Sequence, residues 1–588
     1  MNCRLFSACL LFLLLVSATS CIAAPKTVMV EMRDGVKLET DVYLPSGDGP
    51  FAAVLMRSVY GRKSGPDIAK GLNNRRLALV VQDCRGRGGS EGKDMVFADD
   101  GWGERQDGAD TVAWIVKQPW SNGKVGTSGG SALGIVQVLM APATNEVTAQ
   151  AIIVACSNFY DQLSYQGGVW RKALVEGWTK MQKTDEYIVP AWKAHPTYDA
   201  FWHMFNVEEK AADVTAPAMH VGGWWDIFGQ GTINNFVTRQ HEGGEGARGN
   251  QKLIMGPWIH GQQGKSSHGQ VSFGPAAAIP DPLAWRRTWY DHWLKGVENE
   301  VGKAEPFATP VRIFVMGSGD GRKTQDGLLN HGGSWRDEHE WPLARTQPTN
   351  YYLHAGGRIA ANPPAQSAES TSFQFDPHHP VPTIGGNISS GDGILLQGAW
   401  DQRGGPHVWN AKEPVPLSAR NDVLVFQSEP LADDLEVTGE IIVKLWTSSS
   451  AVDTDFTAKL IDVYPPSPDF PGGFDLNIGD GILRGRFRDS LREEKLMRPG
   501  EIYPLSIKLY PTSNIFKRGH RIRVDLSSSN FPRFDLNPNT GEPLNNNRRM
   551  AIATNTIHHD REHPSHIILP VIPPTGKWNG IHSVPPEN

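Results

Sequence analysis

The chain has 588 residues, 39% hydrophobic and 20% charged, with a formal net charge of −6. That balance excludes a basic nucleic-acid binder, and at about 150 residues per domain the length allows three or four globular cores. Glycine (62) and proline (42) are plentiful but scattered, which favours a loop-rich, sheet-rich architecture over helical bundles. The first residues, MNCRLFSACLLFLLLVSATSCIAA, carry one arginine, then an apolar run too short for a comfortable membrane span, then small residues. Residues 1–24 therefore read as a secretory signal cleaved near Ala23 or Ala24, which predicts an exported protein, periplasmic or secreted, without stable membrane insertion. Lipid attachment at Cys21 is the alternative, although Ala18 is a poor residue three places before it. Cys3, Cys9 and Cys21 fall in this leader, so the body keeps Cys84 and Cys156. No motif specifies an oligomeric state.

After the leader, TVMVEMRDGVKLETDVYLP (27–45) alternates and turns at Asp34-Gly35, a strong hairpin signal. Short apolar runs follow at 52–56, 77–83, 124–129, 149–156, 218–223 and 252–256. Several are near-continuous in hydrophobicity, as strands covered on both faces must be. Between them, DGADTVAWIVKQ (107–118) sets Ala109, Val112, Ala113 and Val116 on one helical stripe. Alternating strand and helix predicts an α/β domain with a parallel sheet over 25–156 and 216–345. The segment 157–215 interrupts with aromatics and no clear strand, and reads as a helical cap over the ligand crevice. A helix at 281–296 closes the domain before a linker around 335–346. From 346 to 588, short alternating runs between turn residues predict a β-sandwich of jelly-roll type.

The chemistry gathers around GKVGTSGGSALG (123–134), where a β-prone run meets a helical one at a serine flanked by glycines. A sharp strand-to-helix turn crowds its own backbone and presents the apical side chain, here Ser131, to a ligand. The next two strand ends carry Asp226, after AMHVGGWW, and His260, after KLIMGPWI. Serine, acid and histidine in that chain order, each just past an apolar run, are what an α/β-hydrolase triad requires. The histidine must take the serine proton, and the carboxylate must fix its tautomer and stabilise the imidazolium. Taken singly, Asp226 also stands where it would cap a helix beginning at Ile227. The backbone N–H of Ala132 and the phenol of Tyr60, in MRSVYGRK, are the predicted oxyanion donors. Nineteen tryptophans suit a pocket for an apolar or aromatic group, and Trp170, Trp178, Trp224, Trp225 and Trp258 are the predicted substrate contacts. His378-His379 and His558-His559 read as solvated loop or edge positions, and neither pair has the neighbours of a metal site. The triad chemistry implies no cofactor.

These stretches resemble the cocaine esterase, α-amino-acid ester hydrolase and X-prolyl dipeptidyl aminopeptidase group of serine hydrolases. The resemblance rests on RDGVKLETDVYLP, RSVYG, QDCRGRGGSEG, the run from Asp107 to Gly134, GGWWD, GPWIHG and GHRIRVDLSSSNFPRFDLNPNTG, and it spans nearly the whole mature chain. The family pattern G-x-S-Y-x-G also places its second glycine three residues after the serine. The resemblance implies an α/β-hydrolase domain with an inserted helical cap and a carboxy-terminal jelly roll. It also implies Ser131 as nucleophile, Asp226 as acid, His260 as base, and Tyr60 with the Ala132 amide as oxyanion hole. Ala132 stands where the family has tyrosine, which keeps the amide donor but shrinks a pocket wall. Arg85 is expected as an internal ion-pair partner. In hydrolase strand order two strands separate Cys84 from Cys156, beyond disulfide reach, so both are expected as free thiols.

The leading expectation is hydrolysis of a small-molecule carboxylic ester, or an amide, through a Ser131 acyl-enzyme. The alternative is an acylase or X-Pro dipeptidyl aminopeptidase acting on a free α-amine. Such a substrate needs carboxylates near the pocket; Asp185-Glu186 are the candidates, while the stretch after His260, GQQGKSSHGQ, is neutral to basic. A third reading, a carbohydrate-binding protein with an inert front domain, is disfavoured by the complete triad.

Overall fold

A computed structural model describes residues 24–390, 394–404 and 416–574. The leader at 1–23 lies outside these. Strands β1 (Lys26–Glu31) and β2 (Lys37–Tyr43) form the hairpin turning through Gly35. They lead into β3 (Phe51–Ser58), β4 (Leu77–Asp83), β5 (Ser121–Gly130), β6 (Val147–Ile153), β7 (Ala218–Trp225), β8 (Gln251–Ile259) and β9 (Val311–Met316). The pairings give the spatial order 1-2-4-3-5-6-7-8-9, parallel from β4 onward. The continuous apolar runs are explained by helices on both faces. In β3, Val54 and Met56 face one layer with α1 (Gly65–Asn73), while Ala53 and Leu55 face the other with α2 (Asp107–Val116).

Helix α3 (Ala132–Met140) follows β5 directly, and its Met140 joins the α2 face. Arg85 is buried and forks onto Asp107, at the start of α2, with bonds of 2.7 and 3.0 Å, and reaches Asp34 of the hairpin at 2.8 Å. The expected internal ion pair is therefore present, and it ties the hairpin turn to a helix N-terminus, where negative charge is favoured.

Between β6 and β7 the chain leaves the sheet for α4 (Lys172–Gln182), α5 (Asp185–Lys193) and α6 (Ala200–His203). Aromatics of this inserted segment, including Tyr160, Trp192, Trp202 and Phe205, bury against Ile135 and Leu139 of α3, so this cap sits over the nucleophile helix. Helix α7 (Gly229–Glu242) links β7 to β8, and α8 (Pro282–Lys295) packs on the α1 face. The chain then continues the sheet through β9, VRIFVM, whose antiparallel partner is Gly333–Glu338. Part of the stretch read as a linker at 335–346 is thus a strand, because its backbone pairs with a neighbour remote in sequence. The carboxy-terminal region is β-rich and antiparallel. One set pairs 435–449 with 503–516, 553–558 and 566–572; the other pairs 455–464 with 474–484 and 521–527. Leu445 and Ile507 from the first set share one buried cluster with Leu460 and Val524 from the second.

Candidate active site

Ser131 occupies the single residue between β5 and α3, with φ 55° and ψ −126°. A non-glycine residue held at positive φ costs about 1–3 kcal/mol and persists only where its surroundings impose it. Here the Ser131 N–H donates to the Ile153 carbonyl at 3.0 Å, and the Ser131 carbonyl accepts from the Ile135 N–H at 2.8 Å. A Cβ on Gly129 would lie 2.4 Å from the Leu133 carbonyl oxygen. One on Gly134 would lie 2.9 Å from the Ala155 Cβ and 3.1 Å from the Ile153 oxygen. The glycine three places after the serine is therefore set by how closely the first turn of α3 crosses the exit of β6.

Asp226 ends the run of β7 and is wholly buried. Its Oδ1 accepts the Phe228 N–H at 2.7 Å, and its Oδ2 faces His260 Nδ1 at 2.9 Å. One oxygen thus braces the turn and the other orients the base; α7 begins at Gly229 with Phe228 as its N-cap, so Asp226 does not cap a helix starting at Ile227. The carboxylate at Nδ1 sets the proton there and leaves the Nε2 lone pair towards Ser131 Oγ, 2.8 Å away. Phe228 stands edge-on to the imidazole, with ring centroids 5.4 Å apart.

The loop bearing Asp226 is braced from outside the sheet. Asn387 Nδ2, buried in the carboxy-terminal region, donates to the carbonyls of Trp224 (2.7 Å) and Asp226 (3.1 Å). The Tyr510 hydroxyl and Arg171 Nη2 donate to the Ile227 carbonyl at 3.0 and 3.2 Å. Nothing in the local sequence around Asn387, Tyr510 or Arg171 marks these contacts, because their partners are backbone carbonyls more than 50 residues away.

Ala132 is the first residue of α3, so its N–H has no carbonyl one turn earlier to bond. Tyr60 follows β3, and its phenol oxygen accepts the Trp178 indole N–H at 3.0 Å. Partial desolvation by the cavity walls raises the Tyr60 ionisation above its ordinary value, outweighing the opposing influence of Trp178 and Ser131, so the phenol keeps its proton.

Ser131, His260, Tyr60 and Ala132 open on one cavity of about 170 Å³. Its walls are apolar: Phe97 and Ile135 from the hydrolase domain, Leu163, Leu174, Val175, Trp178, Met181 and Trp192 from the cap. Ser389 enters from the carboxy-terminal side. Of the five tryptophans expected to contact substrate, Trp178 lines the cavity, and the other four are corrected to core positions. Trp170 is buried against Tyr165 and donates to Glu176; Trp224 donates to the Phe314 carbonyl. Trp225 packs on His268 and Phe273, and Trp258 on Trp285 and Trp335. Their indole area is consumed in layers that cover the sheet on both faces, a fate composition does not distinguish from a pocket wall. Trp192 and Phe97, which carried no motif, take the places on the cavity wall.

Asp185 and Glu186 stand on the outer part of the cap and do not line the cavity. Cys84 and Cys156 are both free and buried, with β3 and β5 between their strands, and burial pushes both thiols well above their usual range. His378 and His379 are exposed and bond Asp376, whereas His559 is buried and meets the Thr371 hydroxyl at 2.9 Å. Among the described residues no group of three or more His, Cys, Asp or Glu is arranged to hold a metal ion, and no helix is long and apolar enough to cross a membrane.

A doubly covered parallel sheet carrying this hydroxyl, imidazole and carboxylate on one rim defines a serine hydrolase of α/β type. Residues 34–188 and 176–262 match the family model of the X-Pro dipeptidyl-peptidases of family S15, and residues 299–568 match the C-terminal non-catalytic domain of X-Pro dipeptidyl-peptidase. Cocaine esterase of Rhodococcus sp. (strain MB1 Bresler) is 32% identical over 93% of this chain and 98% of its own. The chain belongs to the S15 family of serine hydrolases. A solved α-amino-acid ester hydrolase superposes with a TM-score of 0.73 at 25% identity, over 93% of this chain and 96% of that one. An aminopeptidase from a marine sediment Thaumarchaeota archaeon gives 0.75 at 24% identity, over 93% and 96%, and shares the fold.

Proposed function

We propose that this protein is an exported esterase that cleaves carboxylic esters of uncharged, apolar acyl groups through an acyl-enzyme on Ser131. The observation that carries the reading is the continuous chain Ser131 Oγ, His260, Asp226, at 2.8 and 2.9 Å, on the floor of an apolar cavity. Ser131 Oγ attacks the ester carbonyl carbon while its proton passes to His260 Nε2. The tetrahedral oxyanion meets the Ala132 N–H and the Tyr60 O–H, donors already in place before charge develops. Collapse breaks the bond to the alkoxide, which leaves with the proton from His260. A water then attacks the acyl-enzyme with His260 again as base, and the carboxylic acid departs as Ser131 recovers its proton.

The cavity supports the acyl class. An apolar space of about 150 Å³ admits a benzene ring; the space here, about 170 Å³, takes an acyl group of roughly that size. Among the described residues no carboxylate lines it, so these walls offer an ammonium group no counter-ion. That favours esters over the free α-amine substrates of an acylase or dipeptidyl aminopeptidase. The test is a panel of p-nitrophenyl esters, N-blocked and free-amine, with a fluorophosphonate probe on the parent enzyme. Labelling at Ser131 and preference for the uncharged acyl group are expected. Preference for free-amine substrates would reverse the assignment, and labelling elsewhere would end it. Export is supported by the composition of residues 1–24, and the amino terminus of the protein recovered outside the cytoplasm checks it.

A further inference from the structure

We propose that Trp178 is a positioning residue for the oxyanion hole, acting through its indole N–H on the Tyr60 phenol rather than serving only as an apolar wall. The proposal rests on the Ser131 acyl-enzyme reading and deepens it. A phenol has one proton and two lone pairs. The Trp178 N–H, at 3.0 Å, engages a lone pair of the Tyr60 oxygen. With its oxygen thus serving as acceptor, the phenol is left to turn its own proton elsewhere, towards the cavity that it shares with Ser131. An accepted bond also polarises the O–H and strengthens it as a donor. Without the indole, the Ser131 side chain is left to hold the phenol against rotation into the open mouth of the site, where Tyr60 is 47% exposed.

The indole is itself held in register. Trp178 stacks on Phe97 with ring centroids 5.6 Å apart and planes 16° from parallel. Phe97 and its neighbour Val96 both sit at positive φ, 68° and 36°, a strained conformation for such side chains that the surrounding fold maintains. Because Trp178 belongs to α4 of the cap while Tyr60 follows β3 of the sheet, the bond joins the cap to the oxyanion site. A cap displaced from the sheet would loosen one of the two oxyanion donors, along with the Arg171 bond to the acid loop.

The test is a double-mutant cycle on an ester substrate, with kcat and KM measured separately. Tyr60→Phe should cost about 100-fold in kcat, as loss of an oxyanion donor does. Trp178→Phe should lower kcat about five- to tenfold with KM changed less than about twofold, the effect of one hydrogen bond. In the Tyr60→Phe background, Trp178→Phe should cost nothing more. Replacement of Trp178 by β-(3-benzothienyl)alanine, which keeps the ring shape and deletes the N–H, should reproduce the Trp178→Phe loss and guards against misfolding. Multiplicative losses in the double variant, or a raised KM with unchanged kcat, would make Trp178 an apolar wall and overturn the proposal. Full activity in Ser131→Ala would instead sink the acyl-enzyme reading beneath it, so the two failures are distinguishable.

Discussion

The two ends of the triad are built differently. Ser131 is held by its own strand, turn and helix: the bonds that fix it run to Ile153 and Ile135, and the glycines that permit it lie within three residues. Asp226 sits on a loop whose carbonyls are bonded by Asn387 and Tyr510 from the carboxy-terminal region and by Arg171 from the cap. A nucleophile needs a strained backbone, which a short motif encodes. An acid needs a buried, fixed place beside a histidine, which here is completed by regions far away in sequence. The region matched by a domain model described as non-catalytic therefore contributes directly to the placement of the acid.

Substitutions at the two ends test that contrast. Ser131→Ala should reduce kcat by roughly 10⁴- to 10⁶-fold while leaving the melting temperature near the parent value, because only a hydroxyl is removed from a turn the backbone maintains. Asn387→Ala should lower kcat about ten- to 100-fold with little change in KM, since a displacement of the acid loop of the order of 1 Å is enough. It should also lower the melting temperature, because the Trp224 carbonyl loses its Asn387 donor, at about 1–3 kcal/mol, while the Asp226 carbonyl keeps the Gly229 N–H. If Asn387→Ala lowers stability and leaves kcat intact, the acid loop is self-supporting and the contrast fails.

A third test addresses the junction between regions through pH. Burial pushes His268 and His331 down to about 4 and His220 to about 3. His268 Nδ1 accepts the Ala399 N–H at 3.1 Å while Nε2–H donates to the Pro257 carbonyl at 2.7 Å, and His331 bonds Asn514 at 2.8 Å. Unfolded histidine takes up its proton near pH 6.5, whereas these three resist protonation until well below it. Between about pH 6.5 and pH 4 the unfolded chain binds more protons, so stability falls on acidification through that window. The melting temperature should drop steadily across it, and His268→Gln should flatten part of the slope. Tyr510→Phe carries the smallest expectation, a few-fold loss in kcat, because Arg171 still donates to the Ile227 carbonyl.

The hairpin, the strand at 77–83, the helix at 107 and the triad order were legible because each follows from neighbouring residues. β9 and Gly333–Glu338 escaped notice: six-residue strands at the sheet edge offer little periodicity, and their pairing is non-local. The tryptophans mark the same limit. Trp224 and Trp225 directly precede Asp226, which made them look like pocket residues, yet helices and the carboxy-terminal β-region cover both faces of that strand. Trp192 and Phe97 reach the cavity through the packing of the cap and a strained loop, neither of which leaves a motif.

What the amino-acid order determined alone was everything that depends on a few adjacent residues: the alternation that makes strands, the glycines that permit a serine at positive φ, and the sequence in which hydroxyl, carboxylate and imidazole leave successive strands. What only the tertiary structure decided was which large side chains meet substrate and which groups brace the acid and the phenol. Those choices depend on distances between residues up to several hundred positions apart, and chain order carries no measure of such distances until the sheet, the cap and the β-region have closed on one another.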